Sequence, residues 1–155
     1  MSAATALVDL ERSTVHATVE IAAPPARVFR ALTLPNQLAA WWGSPDMYRT
    51  EDWQLDLRPG GAWRCKAIGL DGGVSTVEGV FETIEAPHRL VMTWRPSWDD
   101  FAVTTITYEL IATAGGTKVQ VTHSGFASAS SCQGHADGWL RVLDWLATKI
   151  LAISD

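Results

Sequence analysis

From Thr14 to Ile21 apolar and polar side chains alternate. Val15, Ala17, Val19 and Ile21 fall on one face, and Thr14, His16, Thr18 and Glu20 on the other. A period of two is that of an extended chain with one buried face, so the segment predicts a strand. Ala22-Ala23-Pro24-Pro25 stops it, and proline is tolerated in a first helical turn. Val28, Phe29, Ala31 and Leu32 then recur at helical spacing. Pro35 ends that helix, and residues 36–42 read as a second short helix closed by Gly43.

Beyond Glu51 the period returns to two. Residues 53–57 and 63–67 predict strands joined by the turn Arg58-Pro59-Gly60-Gly61, with Trp63, Cys65 and Ala67 on one face. Asp71-Gly72-Gly73 reads as a hairpin turn, followed by a long strand over residues 74–85. Ala86-Pro87-His88 turns the chain into a strand over 89–95, and a polar loop over 96–100 carries Trp98. Residues 102–112 and 117–123 form a further hairpin around Ala114-Gly115-Gly116. The chain closes in a helix. Ser130 or Ser131 is placed to cap it. Cys132, Ala136, Trp139, Val142, Leu143, Leu146 and Ile150 recur every three or four residues as an apolar stripe. Gly138 weakens this helix relative to alanine, which a close approach of helix to sheet would explain. The predicted order is strand, two helices, about six hairpin-linked strands and a long helix. Short connections imply an antiparallel sheet, and its apolar face must be covered by the last helix. The fold class is therefore α+β.

Composition narrows the function classes. The chain has 155 residues, 47% of them hydrophobic and 19% charged, as expected of one globular domain. Its net charge is −5 and it has no run of Lys or Arg, which argues against nucleic acid and anionic membrane surfaces as partners. No apolar stretch approaches the length of a bilayer span. Residues 1–12 include Asp9, Glu11 and Arg12 and lack the basic start and apolar run of a signal peptide. A flexible tail over 1–12, a single domain over 13–155 and a cytoplasmic location are the expectations. Cys65 and Cys132 are the only cysteines, and thiols rather than a bridge are expected in that compartment.

Eight tryptophans in so short a chain, two of them adjacent at Trp41-Trp42, set the candidate chemistry. Such rings are either core or the wall of an apolar cavity. If the strands point Trp63, Cys65, Trp94, Tyr108 and His123 inward, those side chains meet Trp139 and Leu143 of the last helix. Trp41 and Trp42 would then stand near the mouth. His123 ends the inward face Val119-Val121-His123. It could bond a ligand carbonyl, move a proton, or be a core histidine bonded to backbone or to Tyr108. Cys132 and His135, one helical turn apart, form neither a recognisable metal set nor a nucleophile pair. No nucleophile elbow or phosphate-binding loop occurs, so no catalytic residue, metal or cofactor is expected. Glu78, Glu82 and Glu85 read as a solvated strand edge. Arg49, Arg64 and Arg95 are either exposed strand-face residues or a clamp for a carboxylate at the pocket mouth.

Several short words recur in an order that resembles the START-like, or SRPBCC, superfamily, and within it the activator of heat-shock-protein ATPase type. They are Phe29-Arg30-Ala31-Leu32-Thr33, Trp41-Trp42-Gly43, Leu57-Arg58-Pro59-Gly60-Gly61, Leu90-Val91-Met92-Thr93-Trp94, Gly116-Thr117, His123-Ser124-Gly125-Phe126, and Gly138-Trp139 with Leu143. The resemblance covers roughly residues 14 to 150. The resemblance implies a helix-grip fold of START or Bet v-like form, in which a curved antiparallel sheet wraps a long C-terminal helix around a deep cavity. It implies no single chemistry, because relatives include lipid carriers, receptors, polyketide cyclases and co-chaperones. The expected ligand-binding set is Trp41, Trp42, Trp63, Cys65, Phe81, Trp94, Tyr108, His123, Trp139 and Leu143. The first expectation is a binding protein for an apolar aromatic or lipid-like molecule. The alternatives are a cyclase or aromatase using the same cavity, and a stress-response or co-chaperone module acting through the Trp98-Asp99-Asp100 loop. A second copy of the chain and a chaperone are the protein partners considered.

Overall fold

A computed structural model describes residues 4–155. Nine strands form one antiparallel sheet: β1 (Thr5–Asp9), β2 (Thr14–Ile21), β3 (Gly43–Ser44), β4 (Tyr48–Leu55), β5 (Ala62–Gly69), β6 (Val74–Glu85), β7 (Arg89–Pro96), β8 (Thr104–Thr113) and β9 (Gly116–Ser124). Helices α1 (Pro25–Thr33) and α2 (Pro35–Trp41) follow β2, and α3 (Ala129–Lys149) follows β9. The strand order is β1-β2-β9-β8-β7-β6-β5-β4-β3. Only β2 leaves sequence order, pairing with β9 from Thr14↔Ser124 to Ile21↔Thr117. This is the expected helix-grip arrangement: a curved sheet, a long C-terminal helix and two short helices after an early strand.

The tail expected over residues 1–12 is not what the chain builds. Thr5–Asp9 is an edge strand paired with β2 from Thr5↔Thr18 to Asp9↔Thr14, while Met1–Ala3 lie outside the described residues. The alternation Ala4, Ala6, Val8 is weak, but those small side chains pack against the core from the edge. The α3 cap also differs. Ser128, not Ser130 or Ser131, accepts the Ser131 N–H at 3.0 Å. The strand expected over 53–57 begins five residues earlier, at Tyr48.

Local chemistry explains the curvature. In β4 the register slips between Glu51 and Gln54, with Asp52 at φ 55°, and in β6 it slips between Phe81 and Thr83. An extra residue in one strand bends it and increases its twist. The turn Arg58-Pro59-Gly60-Gly61 is tied to the second bulge by Gly60 N–H to Phe81 O (2.7 Å) and Phe81 N–H to Gly61 O (2.9 Å). A Cβ on Gly61 would lie 1.9 Å from Asp56 O, so the tight return needs glycine there.

The apolar face of β2, the predicted α3 stripe, and the inward residues of β8 and β9 are buried together. Trp41 donates its indole N–H to Ala31 O at 2.8 Å, which ties α2 to α1. Among the described residues no helix is long and apolar enough to cross a membrane.

Candidate functional site

Gly79 faces Trp63 across the β5–β6 pair. A Cβ there would sit 2.1 Å from Thr93 O and 2.7 Å from Trp63 Nε1. The missing side chain therefore lets the Trp63 indole lie across β6 and donate to Thr93 O at 3.0 Å. From this anchor an array of indoles spreads. Trp63 stacks on Trp53 (ring centroids 6.2 Å, planes at 17°) and lies 5.9 Å from Trp94. Trp42 touches Trp41, Trp53, Trp94 and Trp139 at 5.1–6.2 Å. Each buried indole N–H has an acceptor, as burial of that dipole requires: Trp42 donates to the Tyr48 hydroxyl (3.2 Å) and Trp53 to Thr50 Oγ1 (3.0 Å).

His123 is fully buried inside this array, and both ring nitrogens are used. Trp139 Nε1–H donates to Nδ1 at 3.0 Å, so the proton of the neutral ring resides on Nε2. Nε2 lies 2.6 Å from Thr104 Oγ1, which in turn donates to Trp94 O at 3.2 Å. Burial, and secondarily the electrostatic influence of neighbouring His135, push the His123 imidazole well below its ordinary pKa. It is a neutral structural crosslink between β9, β8 and α3. His135 is similar. Its Nε2 accepts from Trp94 Nε1–H (3.1 Å), and its Nδ1–H bonds Ser131 O (2.8 Å). Burial lowers its pKa, against the opposing pull of the Ser131 carbonyl and Asp99. Neither imidazole has a nitrogen left for a ligand, a metal or proton transfer.

The open space lies beside this core. The backbone of α3 runs closest to β2 and β1 and, except where its C-terminal end meets β3, stands off from the strands on the other side of the grip. Between the flank of α3 and β4–β6 lies a cleft of about 810 Å³ that opens to solvent. Thr50, Cys65, Ala67 and Val77 line the sheet side, and Ser131, Gly134, His135, Gly138, Arg141 and Val142 the helix side. Trp42, Trp94 and Trp139 form the inner end, and Met47, Tyr48, Val74 and Trp98 the rim. Two absent side chains keep it open. A Cβ on Gly134 would meet nothing within 4 Å, and one on Gly138 only Arg141 Nη2, at 4.0 Å. The close helix–sheet approach expected at Gly138 is thus absent, and the glycine borders space.

Of the expected ligand-binding residues, Trp42, Cys65, Trp94 and Trp139 reach the cleft wall. Trp41, Trp63, Phe81, Tyr108, His123 and Leu143 are buried behind it. They pack the wall rather than face the space. The Cys65 thiol is pushed up to about 12, by burial first and by nearby Asp52 second, so it is an apolar wall atom and not a nucleophile. Both cysteines are free. The arginines considered as a carboxylate clamp are engaged elsewhere: Arg49 with Glu51 (3.3 Å), Arg64 with Asp52 (3.2 Å), Arg95 with Phe101 O (3.4 Å). The Trp98-Asp99-Asp100 loop folds onto the cleft. Trp98 stacks on His135 (6.2 Å, planes at 27°), and Asp99 accepts from Ser131 Oγ at 2.5 Å. Sequence reasoning missed Tyr48, Gly134, His135 and Arg141 as lining residues. The available signal was Gly134 and Gly138, one turn apart inside an otherwise well-formed helix.

Similarity to other proteins follows the fold. No curated protein matches the sequence. Protein Ms6760 from Mycobacterium smegmatis has a similar crystal structure, with 27% identity and a TM-score of 0.79 over 95% of this chain and 93% of that one. The solution structure of the AHSA1-like protein from Aeromonas hydrophila is 26% identical, with a TM-score of 0.76 over 90% and 92% of the two chains. A protein from Rhodobacter sphaeroides shares the fold at 20% identity, with a TM-score of 0.82 over 97% and 99%. Residues 22–150 match the family model described as Activator of Hsp90 ATPase homolog 1-like protein, and the chain belongs to that family.

Proposed function

We propose that this protein binds an apolar small molecule, flat or chain-like, in the cleft between α3 and β4–β6. One observation carries the reading: a space of about 810 Å³ walled by indoles and held open by Gly134 and Gly138. Small-molecule sites typically enclose about 300–1,000 Å³, with apolar walls and few polar groups. Affinity would come from burial against Trp42, Trp94, Trp98 and Val77, at roughly 25 cal/mol per Å² before the costs of binding. A carrier or sensor fits this wall better than a cyclase. The polar pair on which proton transfer would rest, His123 and Tyr108, lies in the packed core, and His123 has both nitrogens bonded. A partner-docking role for the Trp98 loop is the weaker reading, because Trp98 lies against His135.

The test is tryptophan emission during titration with flat aromatic and long-chain compounds, in the wild type and in Gly134→Phe. That substitution places a ring in the cleft without meeting protein atoms at its Cβ. Saturable changes in emission that vanish in the folded variant are expected. Binding that survives the plug would place the ligand elsewhere, and silence across the panel would overturn the reading.

A further inference from the structure

We propose that the ligand is an amphipathic acid, whose carboxylate is held at the rim by Arg141 while its apolar body runs along α3 toward Trp94 and Trp98. This rests on the apolar-ligand reading and names the class of molecule for that cleft.

Arg141 is the only cationic side chain lining the cleft among the described residues. Among the described residues it is also the one arginine with neither an ion pair nor a hydrogen bond: every other arginine has a carboxylate or carbonyl in reach. An unpaired guanidinium beside apolar surface is matched by a planar oxyanion, which its parallel N–H groups can bind in bidentate fashion. Its position is defined by the bare helix flank, since Nη2 lies 4.0 Å from where a Cβ on Gly138 would be. The guanidinium therefore folds back over the glycine toward the N-terminal end of α3, the direction helical side chains take. On the facing wall burial pushes the Tyr48 hydroxyl's pKa up, against the opposing pull of the Trp42 N–H and of the Arg141 charge, so the hydroxyl keeps its proton. That hydroxyl accepts from Trp42 Nε1–H at 3.2 Å, which leaves its own proton to donate to a second carboxylate oxygen.

Neither carboxylate of the lining is paired with Arg141, and Asp99 sets the ligand's direction. Asp99 accepts from Ser131 Oγ in the first turn of α3, ten residues and about 15 Å of helix from Arg141. Asp71 is turned onto its own hairpin, where it accepts the Gly73 N–H at 2.8 Å. The end of the cleft near Asp99 repels an anion, and the end near Arg141 attracts one. The carboxylate belongs at Arg141, and the apolar body fills the space toward the indoles.

The experiment compares each of two acids, dodecanoic acid and 2-naphthylacetic acid, with its neutral primary amide. Dissociation constants are measured by fluorescence and calorimetry for the wild type, Arg141→Gln and Gly134→Phe. Arg141 is exposed and unpaired, so its replacement leaves the core untouched. In the wild type at least one acid should bind about tenfold or more tighter than its amide, the scale of a charged hydrogen bond. Arg141→Gln should erase that difference and leave the amide affinity unchanged. Acid and amide binding alike in the wild type, with Gly134→Phe abolishing both, would overturn the acid proposal and leave the apolar cleft standing. An acid preference that persists in Arg141→Gln would equally overturn it. No binding of either form would remove both readings together.

Discussion

At Gly79 and at Gly134 the chain omits a side chain with opposite results. On β6 the vacancy is filled: the Trp63 indole lies across Gly79 and bonds Thr93 O. On α3 it is left empty, with nothing within 4 Å of the Cβ position at Gly134. The first glycine is a packing device, and its replacement must displace a ring or a backbone carbonyl. The second costs helix stability and gains no contact within the protein. Interiors are normally filled to crystal-like density. A bare helix flank facing indoles is therefore the part of the molecule that packing alone does not account for.

Substitutions should separate the two regions, and the largest effect belongs to the filled one. Trp63→Ala removes the ring over Gly79 and should lower stability by about 3–5 kcal/mol in urea unfolding. A loss below about 1 kcal/mol would mean the array is not a cooperative core. Gly79→Ala should cost about 1–3 kcal/mol or more, since its Cβ meets a backbone oxygen that cannot move freely. An unchanged midpoint there would break the contrast with α3.

Mild acid should weaken the filled region. His123 and His135 are held neutral, with folded pKa values below the ordinary 6.5. Below about pH 6.5 the unfolded chain binds protons that the native chain refuses. Stability should therefore be level only between about pH 7.5 and pH 8, because at higher pH the unfolded chain gives up the thiol proton that burial makes the native chain keep at Cys65. It should fall below about 6.5, by about 1.4 kcal/mol per pH unit for each histidine, until that residue's folded pKa is reached. Asp46, Asp52 and Asp155 are held below the usual carboxylate range, so their contribution is lost only at lower pH. Urea midpoints at several pH values, with imidazole NMR titrations, check this. Level stability down to about pH 5.5 would contradict the neutral crosslink at His123. The smallest effect is at the empty glycine. Gly134→Ala should raise stability by about 0.5–1 kcal/mol, because alanine favours helix and meets no neighbour. A loss would show that the flank is not free.

Much of the architecture was legible in the order of periods along the chain. The strict alternation of Val15 to Ile21 and the α3 stripe from Cys132 to Ile150 each allow only one buried face. The edge strand Thr5–Asp9 was not legible. Its side chains alternate weakly, and it is ordered by pairing with β2 rather than by its own apolar content. At the site, Trp42, Cys65, Trp94 and Trp139 could be named because inward strand positions and the helix stripe converge. His123 shows the limit of such reasoning. Its inward position followed from the β9 alternation. Its inertness followed only from Trp139 and Thr104, which stand 16 and 19 residues away.

By itself the sequence determined the element types, the antiparallel sheet, the helix that covers it and the aromatic character of the interior. These follow from side-chain period and turn chemistry, which act over a few neighbours. Tertiary structure decided which indoles fill the core and which border space. It decided that the arginine facing that space is Arg141 and not Arg49, Arg64 or Arg95. It also decided that α3 lies against β2 and β1, leaving its glycine flank uncovered. The physical reason is that a cleft is a gap between distant segments, set by where a helix settles on a curved sheet, and no local pattern records that distance.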